Sequence, residues 1–512
     1  MSLGCLPPEI YSAILEFLDK NEVQQVVLNL TRAVPQALIP LEHLFRSITL
    51  NSPEKVFHLY RRLRSSKSDC QLVQSLRVET WSVDAQILIN LLVLLKDLKS
   101  LTLWIGPSFA PEELLEIMRN PRDRLLHLSL RFRPYLQKAN YYQFHKGSYF
   151  DSSLAALTQW HGSSLQTLSF VQDPLPTDAS LASFAQPLVF FTFHPLINLS
   201  TSPVGENVHA LRFRIPDKNI GSFISAAPTA FPSLQTLDIA TSSTAKNTLT
   251  LLLDRLYGVQ RINLDSCKTL TANLRELTEW KAFGRDCALV GARRVKEREK
   301  EVKSWLESLR REHSTSQTLS SQTYSNVHRP KARAGRKGLA TASISLRGAS
   351  DPTIIVQPPS QISGGSSSNT AVPSQKIRIA PSPPSLHSIS VSPPHLLVVP
   401  GGPQNEGEFH TSIRESFAQG WREGLGILRL TWTRLQISQS NKVARVMMIK
   451  TKSNDPNSLD GLEDLEEDGW KELTNGSWDI PNLCLEGETS SSSHANDCVH
   501  THTNTLWVNN LT

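Results

Sequence analysis

Ser100-Leu101-Thr102-Leu103 alternates small polar residues with leucine, the two-residue period of a strand that buries one face. The same pattern recurs on both sides of it. Ser75-Leu76-Arg77-Val78 precedes it, and His127-Leu128-Ser129-Leu130, Thr167-Leu168-Ser169-Phe170, Ala210-Leu211-Arg212-Phe213, Thr236-Leu237-Asp238-Ile239 and Arg261-Ile262-Asn263-Leu264 follow. Taking Leu76, Leu101, Leu128, Leu168, Leu211, Leu237 and Ile262 as anchors, four spacings are about 25 to 27 residues and two are about 40 to 43, so two units carry loop insertions. Between the strands lie runs with one apolar face: 83–95, 111–118, 153–160 and 248–256. Strand alternating with helix predicts an α/β fold with a parallel sheet.

A short leucine-bearing strand followed by a helix, repeated at this period, resembles the leucine-rich repeat. One such unit cannot bury its own apolar side, so neighbours must stack, and the expected architecture is an irregular leucine-rich-repeat solenoid over residues 47–285. Its first strand is expected at Ser47-Ile48-Thr49-Leu50. Ser52-Pro53-Glu54 then supplies a cap and first turn for a helix over 55–63. A stack needs caps. The segment from Thr271 to Trp280 reads as a last helix that closes one end, and the N-terminal module is placed to close the other.

That module, residues 1–46, reads as a helical hairpin. Ile10, Ile14, Phe17 and Leu18 recur at helical spacing after Pro7-Pro8-Glu9, and Val23, Val26, Val27 and Leu30 resume the pattern beyond Asp19-Lys20-Asn21. The string Leu6-Pro7-Pro8-Glu9-Ile10, leading through Leu15 to Leu18-Asp19, resembles the opening of an F-box, although Thr31-Arg32-Ala33-Val34-Pro35 stands where that family often has a tryptophan. An F-box followed by leucine-rich repeats is a common arrangement. The resemblance implies a substrate-receptor subunit of an SCF-type ubiquitin ligase, in which the N-terminal helices dock on the Skp-type adaptor and the repeats hold a target protein. It assigns the docking face to Leu6, Pro7, Ile10, Ile14, Leu15, Leu18, Val23 and Val26. The same periodicity would arise if the hairpin only packed against the first repeat, leaving a repeat scaffold with no ligase role.

Beyond the repeats the composition shifts. Residues 286–313 form a charged stretch whose few large apolar residues include Val295, Val302, Trp305, Leu306 and Leu309, and it is expected to be a solvated helix. Residues 314–512 are rich in Ser, Pro, Thr and Gly and are expected to be mostly disordered, with one candidate helix over 412–435. His328, Arg329, Lys331, Arg333, Arg336 and Lys337 form a basic cluster that reads as a solvated linker, the alternatives being a nuclear-import signal or a weak nucleic-acid contact. His494, Cys498, His500 and His502 have the side chains of a zinc site, but a Ser-rich tail offers no frame to hold one, so no metal is expected. Tyr135, Tyr141, Tyr142, Phe144, Tyr149 and Phe150 cluster in a long insertion, either as a contact surface or as its core.

Several functions lose support on composition alone. A formal charge of +6 from 53 basic and 47 acidic residues is too dilute for a dedicated nucleic-acid binder. No run approaches the roughly 18 apolar residues of a membrane span, the first residues lack a secretory signal, and six cysteines without CxxC pairing suit a reducing compartment, cytoplasmic or nuclear. Neither a phosphate-binding glycine loop nor a GxSxG or HExxH motif is present. The expectation is a binding protein with no catalytic residues and no cofactor.

Overall fold

The computed structural model describes residues 6–18, 20–40, 42–106, 108–133, 150–174, 190, 192–227, 230–320, 376–392, 406–450, 458–476, 478–486, 494, 497–504 and 506–507. The basic cluster of His328, Arg329, Lys331, Arg333, Arg336 and Lys337 lies outside these residues, as do Asp19, Tyr135, Tyr141, Tyr142, Phe144 and Tyr149.

The protein is α/β. Its centre is a ten-stranded sheet in the order β1-β2-β3-β4-β5-β6-β7-β8-β10-β13. The strands are β1 (Ser47–Leu50), β2 (Ser75–Val78), β3 (Ser100–Ile105), β4 (His127–Phe132), β5 (Thr167–Gln172), β6 (Ala210–Arg214), β7 (Thr236–Asp238), β8 (Arg261–Asn263), β10 (Ser388–Ser390) and β13 (Asn482–Cys484). Every neighbouring pair is parallel. The register keeps like with like. Ile48, Leu76, Leu101, Leu128, Leu168, Leu211, Leu237, Ile262, Ile389 and Leu483 form one continuous row, all buried. Each such side chain contributes about 1.5–3 kcal/mol through burial, which holds the register because a one-residue slip would turn the whole row to solvent.

The helices between strands lie against one another in chain order and cover the apolar face. Leu88 and Leu92 of Ala85–Leu94, Leu114 and Met118 of Pro111–Arg119, and Leu249 and Leu252 of Lys246–Arg255 share one core with the strand leucines. The expected cap at Ser52 is present: its hydroxyl accepts from the Lys55 amide at the start of Pro53–Ser65. Phe150 is buried against Phe132, with ring centroids 5.1 Å apart, so the part of the aromatic group that is described packs inward.

Three expectations are overturned beyond β8. The segment from Thr271 to Trp280 is not one closing helix, because the chain breaks at Leu274 between Lys268–Asn273 and Leu277–Ala288. The sheet also continues past it. β10 and β13 come from the region expected to be disordered, and both fill the same six-residue frame as the earlier strands: Leu386-His387-Ser388-Ile389-Ser390-Val391 and Ile480-Pro481-Asn482-Leu483-Cys484-Leu485.

The charged helix, finally, is not solvated on all sides. It runs over Val290–Ser320 and packs Val295, Val302 and Leu306 beneath a three-stranded sheet ordered β12 (Leu462–Asp464), β11 (Ala444–Ile449) and β9 (Lys376–Ala380). Its Arg294 is buried and donates to the carbonyls of Leu253, Asp254 and Leu256, capping the end of Lys246–Arg255. Burial lowers this guanidinium to about 10.

The candidate helix over 412–435 spans Glu406–Ser440 and crosses Leu277–Ala288 at close range. A side chain at Gly420 would run into the Lys281 carbonyl, and one at Gly284 into the Phe417 carbonyl. Only glycine lets the two backbones approach this far. Trp421 and Trp432 fill the space on either side, and Trp432 donates to the Pro381 carbonyl at 2.8 Å.

Candidate partner-binding surfaces

The first helix, Pro8–Glu16, has two apolar faces because its apolar residues come in adjacent pairs. Tyr11 and Leu15 turn inward and form a small core with Val27 and Ile39, separate from the core under the sheet. Leu6, Leu18, Val23 and Val26 are half-buried against it. One helical step away, Pro7, Ile10, Ile14 and Phe17 face outward. Ile10 and Ile14 are each 44% exposed and Phe17 is 92% exposed. The expected docking set therefore divides: Pro7, Ile10 and Ile14 are accessible, Leu15 belongs to the interior, and Phe17 is the largest apolar side chain on the open side.

The module joins the sheet at its last residues, where Phe45 enters the core under the sheet and the Arg46 carbonyl accepts from the Gln74 and Ser75 amides. Leu44 packs against both cores, and the Gln24 amide donates to the carbonyls of Leu44 and Ser47 at the start of β1.

A second surface lies on the sheet face opposite the helices. Across it, the register aligns Thr49, Arg77, Thr102, Ser129, Ser169, Arg212, Asp238, Asn263, Ser390 and Cys484 in a single polar row. Its two halves differ. On the half near β1, Trp81 and Trp104 stack with centroids 4.7 Å apart, and Arg131 lies over Trp104 at 5.1 Å. Arg133 sits over Trp81 at 5.9 Å, and Asp173 pairs with Arg131 at 2.7 Å. Partly exposed tryptophans among exposed arginines have the composition that dominates binding energy at interfaces. This patch was readable only in part: Trp104 stands at an outward position of β3, but its pairing with Trp81 depends on the loop after β2. Gly106 makes that loop possible, since a side chain there would strike the Trp81 carbonyl.

On the far half, the same face is covered by the chain's own tail. Asp238 is fully buried and holds Arg212 at 2.9 Å and Arg214 at 2.7 Å, while Trp507 stacks on the Arg212 guanidinium at 4.8 Å. Burial by itself would raise the Asp238 carboxyl, but Arg214 and Arg212 outweigh it and hold the group below the usual carboxylate range. The helix Val499–Asn504 lies against β8 and β10. Here the structure gathers His494, Cys498 and His500 with Cys484 of β13, whereas His502, also singled out in the sequence, lies beside Arg261.

No helix among the described residues is long and apolar enough to cross a membrane. Comparison of the sequence with models of known protein families gave no match, and neither did comparison with curated proteins.

Proposed function

We propose that this chain is the substrate-receptor subunit of an SCF-type ubiquitin ligase, acting in the cytoplasm or nucleus. Its F-box-like module docks on the Skp-type adaptor, and its sheet, read as an irregular leucine-rich-repeat solenoid, holds a target protein. The observation that carries the reading is the outward stripe of Ile10, Ile14 and Phe17 on the helix that begins with Leu6-Pro7-Pro8-Glu9-Ile10. An apolar helix stripe left in water is costly unless a partner groove receives it, and spacing at i, i+4 and i+7 is how such a groove is engaged. The target surface in this reading is the Trp81, Trp104 and Arg131 patch.

The receptor acts by placement, and no residue of it performs chemistry. Support comes from the thiols outside the tail cluster: burial raises Cys267 to about 12 and pushes Cys287 up as well, so neither is an ionised nucleophile at neutral pH. The test is capture of the Skp-type adaptor by the full chain, compared with an Ile10→Asp, Ile14→Asp double variant. Both positions are exposed, so the variant should keep its fold by circular dichroism and lose capture. If the wild type captures no adaptor, the second reading takes over: a repeat scaffold whose N-terminal hairpin is only a cap, with the Trp81 and Trp104 patch still its binding surface.

A further inference from the structure

Cys484 ends β13, the outermost strand of the sheet, while His494, Cys498 and His500 belong to the segment that folds back over β8 and β10. One ligand atom from each lies within 4.8 Å of all the others. Each histidine Nδ1 faces both sulfurs. From His500 the distances are 3.5 Å to Cys484 Sγ and 3.4 Å to Cys498 Sγ, and from His494 they are 3.7 Å and 3.8 Å.

Zinc bonds of about 2.3 Å to sulfur and about 2.0–2.1 Å to nitrogen, set at a tetrahedral angle, give a sulfur-to-nitrogen separation of about 3.6 Å. All four observed distances bracket that value. Ordinary thiol–imidazole pairing would bring one sulfur close to each nitrogen and leave the crossed pairs apart, whereas a shared central ion makes all four alike.

The surroundings support the same arrangement. His500 is fully buried, and its other nitrogen, Nε2, lies 2.6 Å from Asp265 Oδ2 and 2.9 Å from Ser390 Oγ. Asp265 is itself fixed, accepting from the Ser390 hydroxyl. A carboxylate that accepts a hydrogen bond from Nε2–H fixes the proton on that nitrogen and leaves Nδ1 as a bare lone pair aimed at the two sulfurs, the relation by which metal-bound histidines are oriented. His494 Nε2 is also buried, with no hydrogen-bond partner among the described residues.

We propose that Cys484, His494, Cys498 and His500 form a structural zinc site, with Asp265 as the positioning residue for His500. Two thiolates and two imidazoles in a closed tetrahedral set select zinc over the oxygen-seeking cations, and four protein ligands leave no open position for catalysis. Binding releases the two thiol protons to solvent. The ion ties the tail to the last strand, so that the Val499–Asn504 helix and Trp507 stay over Asp265, Asp238 and Arg212.

The experiment is metal analysis of the purified full chain after exposure to zinc and desalting, together with cobalt substitution of the same protein. The expected result is about one zinc per chain. Cobalt should give the visible bands of a tetrahedral ion with thiolate-to-metal charge transfer in the near ultraviolet, and both signals should be absent from a Cys484→Ser, Cys498→Ser variant. Asp265→Asn should keep the stoichiometry and weaken zinc affinity by about 10- to 100-fold in competition with a chelator. The wild-type measurements need no variant to fold. A wild-type chain that holds no stoichiometric zinc, whether its cysteines titrate as free thiols or as a disulfide, overturns the proposal. So does zinc that persists in the double variant.

Discussion

The two ends of the ten-stranded sheet are finished in different ways. At β1, a helical module with its own small core of Tyr11, Leu15, Val27 and Ile39 is attached through Gln24, Leu44, Phe45 and Arg46. At β13, the chain returns from far along the sequence, adds two strands in register, and lays its tail over the open face. Ser390 hydrogen-bonds to Asp265 across 125 residues of sequence, and His500 reaches the same carboxylate across 235. One end keeps a core of its own and the other is interlocked with the sheet. A module with a separate core can open without the sheet, whereas the last strands depend on contacts that only the returning tail supplies.

Substitutions can break this contrast, the largest effects falling at the interlocked end. Asp238→Asn removes a fully buried carboxylate that pairs with both Arg212 and Arg214 and should destabilise the chain by about 3–5 kcal/mol, read as a lower denaturant midpoint. The sign of its pH dependence is fixed. The folded-state pKa of Asp238 is depressed, so its contribution is present above the unfolded value and lost as pH falls through the folded one, and wild type and variant should converge in acid. Leu483→Ala, in the last strand, should cost about 2–5 kcal/mol in the main unfolding transition. Leu15→Ala removes a side chain of similar size from the N-terminal core, yet it should leave that main transition in place and raise amide exchange only over residues 6–40. If Leu15→Ala instead shifts the whole transition, the module is not a separate unit.

Smaller changes sharpen the comparison. Gly420→Ala should cost about 1–3 kcal/mol, because its added methyl must push the Glu406–Ser440 helix off the Lys281 backbone. Trp104→Ala, on the open half of the polar face, should cost less stability than loss of a fully buried tryptophan because the ring is partly exposed, and it should weaken target binding if this patch is the target surface.

Much of the fold was legible because the sheet repeats one local rule. Apolar residues at every second position mark β2 to β8, and the helices between them announce themselves by their apolar faces. β10 and β13 obey the same rule at Ile389 and Leu483, but they stand outside the period of the other strands, amid Ser- and Pro-rich sequence. Periodicity cannot point to a strand that arrives out of turn. Val295, Val302 and Leu306 were visible as an apolar line on a charged helix, but nothing local says that a sheet waits to cover them.

The candidate sites divide in the same way. Ile10 and Ile14 were assigned correctly to one helix, but the sequence did not separate their outward face from the inward face of Tyr11 and Leu15. The histidines and Cys498 stood out as metal-binding types. Cys484 and Asp265, which complete the geometry, are brought to them only by the register of β8, β10 and β13.

The receptor reading is tested most directly by calorimetric titration of the purified Skp-type adaptor into the full chain and into Phe17→Asp. Phe17 is nearly free of contacts in the folded chain, so the substitution should change stability by less than about 0.5 kcal/mol. The account predicts saturable binding by the wild type and at least about a tenfold loss of affinity in the variant, the equivalent of one buried anchor. Absence of binding by the wild type, or equal binding by both, contradicts it.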